Sequence, residues 1–120
     1  MQGRHDPIEI LRHMLRYCGQ AESIHQEYSY DRSRFDQSYA YRNGLAMCIM
    51  QIGEMVKYLP DDYKAAHPEI PWRQIYATRN YVAHDYGAVD FDVVWDASLN
   101  GLKEIADFCG KQLADAGVEE

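Results

Sequence analysis

Apolar residues return along this chain at intervals of three and four, the spacing that gathers them on one face of an α-helix. In the first segment Ile8, Leu11, Leu15 and Cys18 follow that rule. They come after Asp6, Pro7 and Glu9, which supply an N-cap, a first-position proline and an approximate capping box. This helix is expected to pass Gly19 and reach Ile24 and Tyr28, before Asp31-Arg32-Ser33 introduces turn chemistry. The cleanest stripe is Leu45, Ile49, Ile52, Val56 and Leu59. It predicts a second helix from about Asp36 to Leu59, stopped by Pro60, whose ring excludes continuation and removes a backbone donor.

The polar stretch Asp61 to His67, closed by Pro68, has room for one short helical turn. Pro71 suits the first position of a third helix that carries Trp72, Ile75, Tyr76, Arg79, Val82 and Ala83, with Gly87 as its stop. Asp90 reads as the N-cap of the last helix, whose face collects Phe91, Val94, Trp95, Leu99, Leu102, Ile105, Cys109 and Leu113. Gly117 to Glu120 are expected to fray. Strand-like alternation, repeats and low-complexity tracts are absent from the 120-residue sequence. The pattern therefore predicts one domain over residues 1–120, with a core from about 8 to 113. Its fold class is all-α, an antiparallel up-and-down bundle of four main helices with a possible short fifth.

Composition narrows the picture. Apolar residues are 47% of the chain, which argues against disorder, and no apolar run approaches the roughly 20 residues that span a bilayer. Met1-Gln2-Gly3-Arg4-His5 lacks a hydrophobic leader core, so a cytoplasmic location is expected. Cys18, Cys48 and Cys109 are odd in number and far apart, each within a helical apolar pattern, and read as small reduced core residues. The formal net charge of -7 counts against a large, sequence-tolerant nucleic-acid surface. That acidity is uneven: Arg32, Arg34 and Arg42 surround the single acid Asp36, whereas residues 85–120 hold nine acidic groups against Lys103 and Lys111. A small basic site is compatible with this distribution, and so is docking of a positively charged partner.

Chemistry concentrates in Arg79-Asn80-Tyr81-Val82-Ala83-His84-Asp85-Tyr86. Arginine offers a planar, permanently charged fork matched to a phosphate. Histidine exchanges protons near neutrality. Cleaving a phosphodiester needs both functions. Five residues of helix subtend about 500°, so Arg79 and His84 point roughly 140° apart and do not share a face. Asn80 and His84, four apart, do share one, which predicts a hydrogen bond that orients the imidazole. Arg79 reaches the same phosphate if its long side chain swings round or the helix loosens near Gly87; the other solution is a neighbouring subunit that completes the site.

The R-x4-H-x-Y spacing resembles the signature of HEPN-domain proteins, in particular the HepT-like ribonuclease toxins paired with minimal nucleotidyltransferase antitoxins. Ile52-Gly53-Glu54, Pro68-Glu69-Ile70-Pro71-Trp72, Val89-Asp90 and Val94-Trp95 resemble that family's framing segments, over roughly residues 8 to 113. Arg42-Asn43 repeats the Arg-Asn pair without a following histidine. The resemblance implies a symmetric homodimer with a shared cleft, and an RNA substrate. It also implies that the partner nucleotidyltransferase attaches AMP to Tyr86 and so silences the toxin. On this reading His84 is general acid/base, Arg79 stabilises charge on the phosphate, Asn80 orients, and Glu54 supports Arg79 from behind. Neither metal nor other cofactor is called for. The alternative is a non-catalytic HEPN adaptor, or a nucleotide-binding subunit of a nucleotidyltransferase complex.

Other candidates have plainer readings. Glu9 with His13 is more simply a solvated pair than two metal ligands, and His25 and His67 are read the same way. Val82 and Ala83 are packing residues, Tyr81 is core or cleft wall, and Asp85 has no assigned role. Tyr28, Tyr30, Tyr39 and Tyr41, among ten tyrosines, are half-buried residues or a stacking surface.

Overall fold

Asp6 opens the first helix as its spacing predicts: its side chain accepts from the Ile8 amide at 3.0 Å, and Pro7 occupies the first turn. The structure is a computed structural model that describes residues 6–118, so residues 1–5 and the tail at 119–120 lie outside the described residues, as do the readings made of them. Helix α1 spans Pro7–Glu27. It ends where Ser29 and Tyr30 take left-handed backbone, at φ 58° and 54°, so the chain reverses there without a glycine. Asp31 caps α2 (Arg32–Gln37) through the Ser33 and Arg34 amides, and Ser38 caps α3 (Tyr39–Tyr58) through Tyr41.

The hydrophobic stripe alone runs α3 back to Asp36. The structure breaks it at Ser38, whose extended backbone (φ -111°, ψ 113°) and capping hydroxyl separate two helices. Beyond Pro60 the expected short turn is α4 (Asp61–Ala66). Helix α5 covers Trp72–Asp85, with Pro71 one residue earlier than expected, at the cap. Gly87 is not a left-handed stop. It lies within a 3₁₀ turn, Tyr86–Ala88, and among the described glycines only Gly117 has a positive φ, 72°.

Asp90 caps α6 (Phe91–Asp96), its side chain accepting from the Asp92 amide at 2.9 Å. The helix then widens into a π turn, Ala97–Gly101, and continues as α7 (Leu102–Asp115). That turn moves the core stripe by one residue. Ser98 is buried where the sequence periodicity places Leu99, which is only half-buried.

Helix α3 is the hub, packing on α1, α2, α5 and α6, while α1 also packs on α7. Leu45, Ile49, Ile52 and Val56 meet Leu11, Met14, Val82, Val94, Ile105 and Leu113 in one core, and the described residues contain no strand. The all-α class is as the sequence predicts. Cys18, Cys48 and Cys109 are free and buried. Burial pushes the Cys18 and Cys109 thiols up to about 12, which keeps them protonated and unreactive. No described helix is long and apolar enough to cross a membrane.

The solvated reading of His25 is corrected. Its ring is 1% exposed and stacks on Tyr30 at 5.1 Å. Nε2 lies 2.9 Å from Ser98 Oγ and Nδ1 lies 2.5 Å from Tyr41 Oη. Ser98 already donates its hydroxyl to the Trp95 carbonyl at 2.8 Å, so it accepts from Nε2–H, and Tyr41 donates to Nδ1. The π turn is what presents Ser98 to this network. His67, by contrast, is half-buried, against Tyr63 and Phe108, with Nδ1 3.5 Å from Glu69.

Candidate active site

The motif helix is positioned by a close approach. A Cβ built on Gly53 would stand 2.2 Å from the Cβ of Arg79 and 2.8 Å from its Cγ, so α3 and α5 can touch here only because residue 53 has no side chain. The framing residues set the rest. Ile70 and Trp72 are buried, the Trp72 indole donates to the His67 carbonyl at 3.0 Å, and its ring meets Phe108 edge-on at 5.6 Å. At the other end, the Asp90 amide donates to Tyr81 Oη at 2.9 Å, which ties α5 to the start of α6.

On this frame Arg79 is half-buried. Nη2 pairs with Glu54 Oε1 at 3.2 Å and Nη1 donates to Asn80 Oδ1 at 2.8 Å, while Nε is buried without an acceptor. Glu54 also lies 3.9 Å from Lys57. The Glu54 partnership is the one the sequence suggests. Asn80 behaves otherwise: its recorded partner is the arginine beside it, not the imidazole four residues on. The His84 side chain is exposed and makes no hydrogen bond among the described residues. Thus the chain holds Arg79 in place, leaves His84 in solvent, and forms no hydrogen bond between the two.

Tyr86 lies past the helix end. Its hydroxyl donates to Asn43 Oδ1, and its ring meets Phe91 edge-on at 5.7 Å. Burial raises its pKa above the usual phenol value, and the nearby Arg42 guanidinium opposes that shift. In the sequence Arg42-Asn43 is a pair with no histidine in reach and suggests no role. The structure brings it beside Tyr86 from 43 positions away. No local periodicity signals such a contact.

The remaining candidates take no part in the ion pair and hydrogen bond that hold Arg79. Glu9 pairs with Arg12 at 3.0 Å, and His13 is exposed. Asp85 is exposed, Val82 is buried and Ala83 is half-buried. A groove of about 590 Å³ runs between α5 and the last helix, lined by Ile49, Ile75, Thr78, Val93 and Leu102, and neither Arg79 nor His84 lines it.

The chain matches the family described as Ribonuclease HepT-like over residues 14–111, and belongs to it. It is 48% identical over 44 residues to “Probable ribonuclease HepT” of Thermococcus cleftensis, covering 37% of this chain and 40% of that one. It is 26% identical over 102 residues to “Putative RNase MJ1216” of Methanocaldococcus jannaschii, covering 85% and 83%. A third relative, “Putative RNase MJ0125” of the same archaeon, is 31% identical over 75 residues, 62% of this chain and 65% of that one. The matched stretch thus spans less than two thirds of the first and third of these relatives. No solved structure matches the chain.

Proposed function

We propose that this protein is an endoribonuclease that cleaves RNA by metal-independent transesterification, with Arg79 and His84 as its catalytic residues. The observation that carries the reading is the built support of Arg79. A glycine admits the helix, a glutamate and an asparagine hold the guanidinium, and an exposed imidazole follows on the same short helix. Transesterification uses a base to activate the ribose 2′-hydroxyl and an acid to protonate the leaving 5′-oxygen. One motif supplies one histidine, so a two-fold homodimer that faces two motif helices across a cleft supplies both proton carriers and two cations. Arg79 stabilises the charge that develops on the phosphate, Glu54 and Asn80 position it, and His84 moves the proton.

RNA cleavage in chelator, lost in His84→Ala with the helical content kept, is the expected result. Intact RNA with wild-type protein would remove the enzyme reading. Mixing Arg79→Ala with His84→Ala subunits tests the shared cleft. If the site is built from two chains, the mixture regains part of the activity that each variant lacks alone.

Family membership supports a toxin restrained by a nucleotidyltransferase that adenylylates Tyr86. Bulky anionic groups at this hydroxyl oppose binding of a polyanion by occupancy and like-charge repulsion. Mass spectrometry of Tyr86 after incubation with a cognate nucleotidyltransferase and ATP is expected to show added AMP, and an unchanged mass rejects this control. The competing reading, a non-catalytic adaptor or nucleotide-binding subunit, draws on the separation of Arg79 from His84 within one protomer. It predicts phosphate binding without strand cleavage.

A further inference from the structure

Arg42 is a held cation without an anion. Its guanidinium carbon stands 4.9 Å from the Tyr39 ring centre and 5.1 Å from that of Phe91, and Nη1 donates to the carbonyls of Phe35, at 3.0 Å, and Asp36. Those carbonyls close the C-terminal end of α2, whose partial negative charge favours a cation. They engage a single nitrogen. Nε and Nη2 have no partner among the described residues, and no carboxylate pairs with Arg42. The other arginines of this segment differ: Arg32 is paired with Asp36 at 2.8 Å and Asp92 at 2.5 Å, and Arg34 is exposed without an aromatic clamp.

Beside Arg42, Asn43 accepts from Tyr86, whose ring shares the Phe91 contact with the guanidinium. A fixed cation with two spare donor nitrogens therefore adjoins the Asn43 amide, whose oxygen takes the Tyr86 hydroxyl and whose NH2 group is thereby oriented. A guanidinium and an amide NH2 are donors that grip a phosphodiester oxygen. Asn43 and Glu54 lie on one helix, and eleven residues at 1.5 Å rise separate them by roughly 16 Å. Glu54 holds Arg79 and Asn43 meets Tyr86, so the two clusters sit about three helical turns apart along α3.

We propose that Arg42, with Asn43 and Tyr86, forms a second phosphate-binding subsite that engages the RNA backbone a few nucleotides from the phosphate held at Arg79. The inference rests on the ribonuclease reading above and adds to it a point of grip away from the scissile bond. Subsite contacts fix the register of a strand without reading its bases. They also give the motif tyrosine a place in substrate binding before any modification.

The test is the salt dependence of binding to a single-stranded 2′-O-methyl oligoribonucleotide, which lacks the attacking hydroxyl and stays intact. Each phosphate contact on a single strand contributes about 0.7 to the slope of log affinity against log salt. Arg42→Gln is expected to lower that slope by about 0.7, with Arg42→Lys keeping it. Arg16→Gln, an equal charge change at an exposed position on α1, is expected to leave it unchanged. A purely structural role for Arg42 as a cap of α2 would weaken binding while the slope stays at the wild-type value, and that result overturns the proposal. An equal drop in Arg16→Gln also overturns it, as a general charge effect. If Arg79→Gln lowers the slope and Arg42→Gln does not, the subsite is wrong and the ribonuclease reading survives. If the wild type does not bind the oligonucleotide at all, both fall.

Discussion

Two polar clusters in this protein are built on opposite terms. Around His25, every donor meets an acceptor: Tyr41 donates to Nδ1, Nε2 donates to Ser98, and Ser98 donates to the Trp95 carbonyl, all within the packed core. Around Arg79, the guanidinium is held by Glu54 and Asn80 at two nitrogens, Nε is left without an acceptor, and His84 stands in solvent. Burial explains the satisfied His25 network and the open His84; the buried, unpaired Nε of Arg79 is the exception. A polar group sealed from water must be satisfied by its neighbours, whereas a surface group can keep capacity for a ligand. The first cluster holds the bundle together and the second is kept available.

Substitutions that separate stability from activity test this contrast. The largest effect is expected at His84→Ala. Loss of a positioned proton carrier costs about 10²- to 10⁴-fold in cleavage rate, while the melting temperature stays at the wild-type value because the side chain is exposed. A parallel fall in thermal stability would show that His84 is structural. Next comes His25→Ala, which leaves a cavity and the buried Tyr41 hydroxyl without a partner, while Ser98 keeps its bond to the Trp95 carbonyl. A loss of about 3 kcal/mol in denaturant unfolding is expected. If its stability matches the wild type, the network is not what holds α1 against the π turn.

Gly53→Ala should be felt in stability and in activity together. The added methyl collides with Arg79, and forcing α3 and α5 apart is expected to cost about 1–3 kcal/mol by overpacking and to lower cleavage further than that loss explains. Unchanged stability would show that the helices separate freely. The smallest effect is a pH slope. Burial lowers the folded pKa of His25 below its ordinary 6.5, a shift that the Glu22 carboxylate partly opposes. The neutral ring's stabilising contribution is therefore present in full above pH 6.5 and lost as pH falls through the lowered folded value. Urea titrations at neutral and mildly acidic pH should show this loss in the wild type and less of it in His25→Gln.

Legibility followed the range of the interactions. Caps are local, so Asp6 and Asp90 were readable from neighbours two residues away, and Pro60 from its own ring. Periodicity was equally plain in α3. It failed at Ser98, because a π turn depends on what the widened helix meets across the core, and the favourable partner there is His25 on α1. The break at Ser38 escaped the apolar pattern for a related reason: its cap is a polar signal inside an otherwise continuous stripe.

Unaided, the sequence determined the helical class, most element ends, the burial of the cysteines and the motif of Arg79, His84 and Tyr86. These rest on spacing along a single segment, which the backbone geometry of a helix fixes. Tertiary structure alone decided that Gly53 admits Arg79, that Asn80 turns to the arginine, that His25 is sealed in the core, and that Arg42 and Asn43 reach Tyr86. All but the Asn80 contact, which joins neighbours on one helix, depend on which faces of separate helices meet, and packing of the whole core sets that choice.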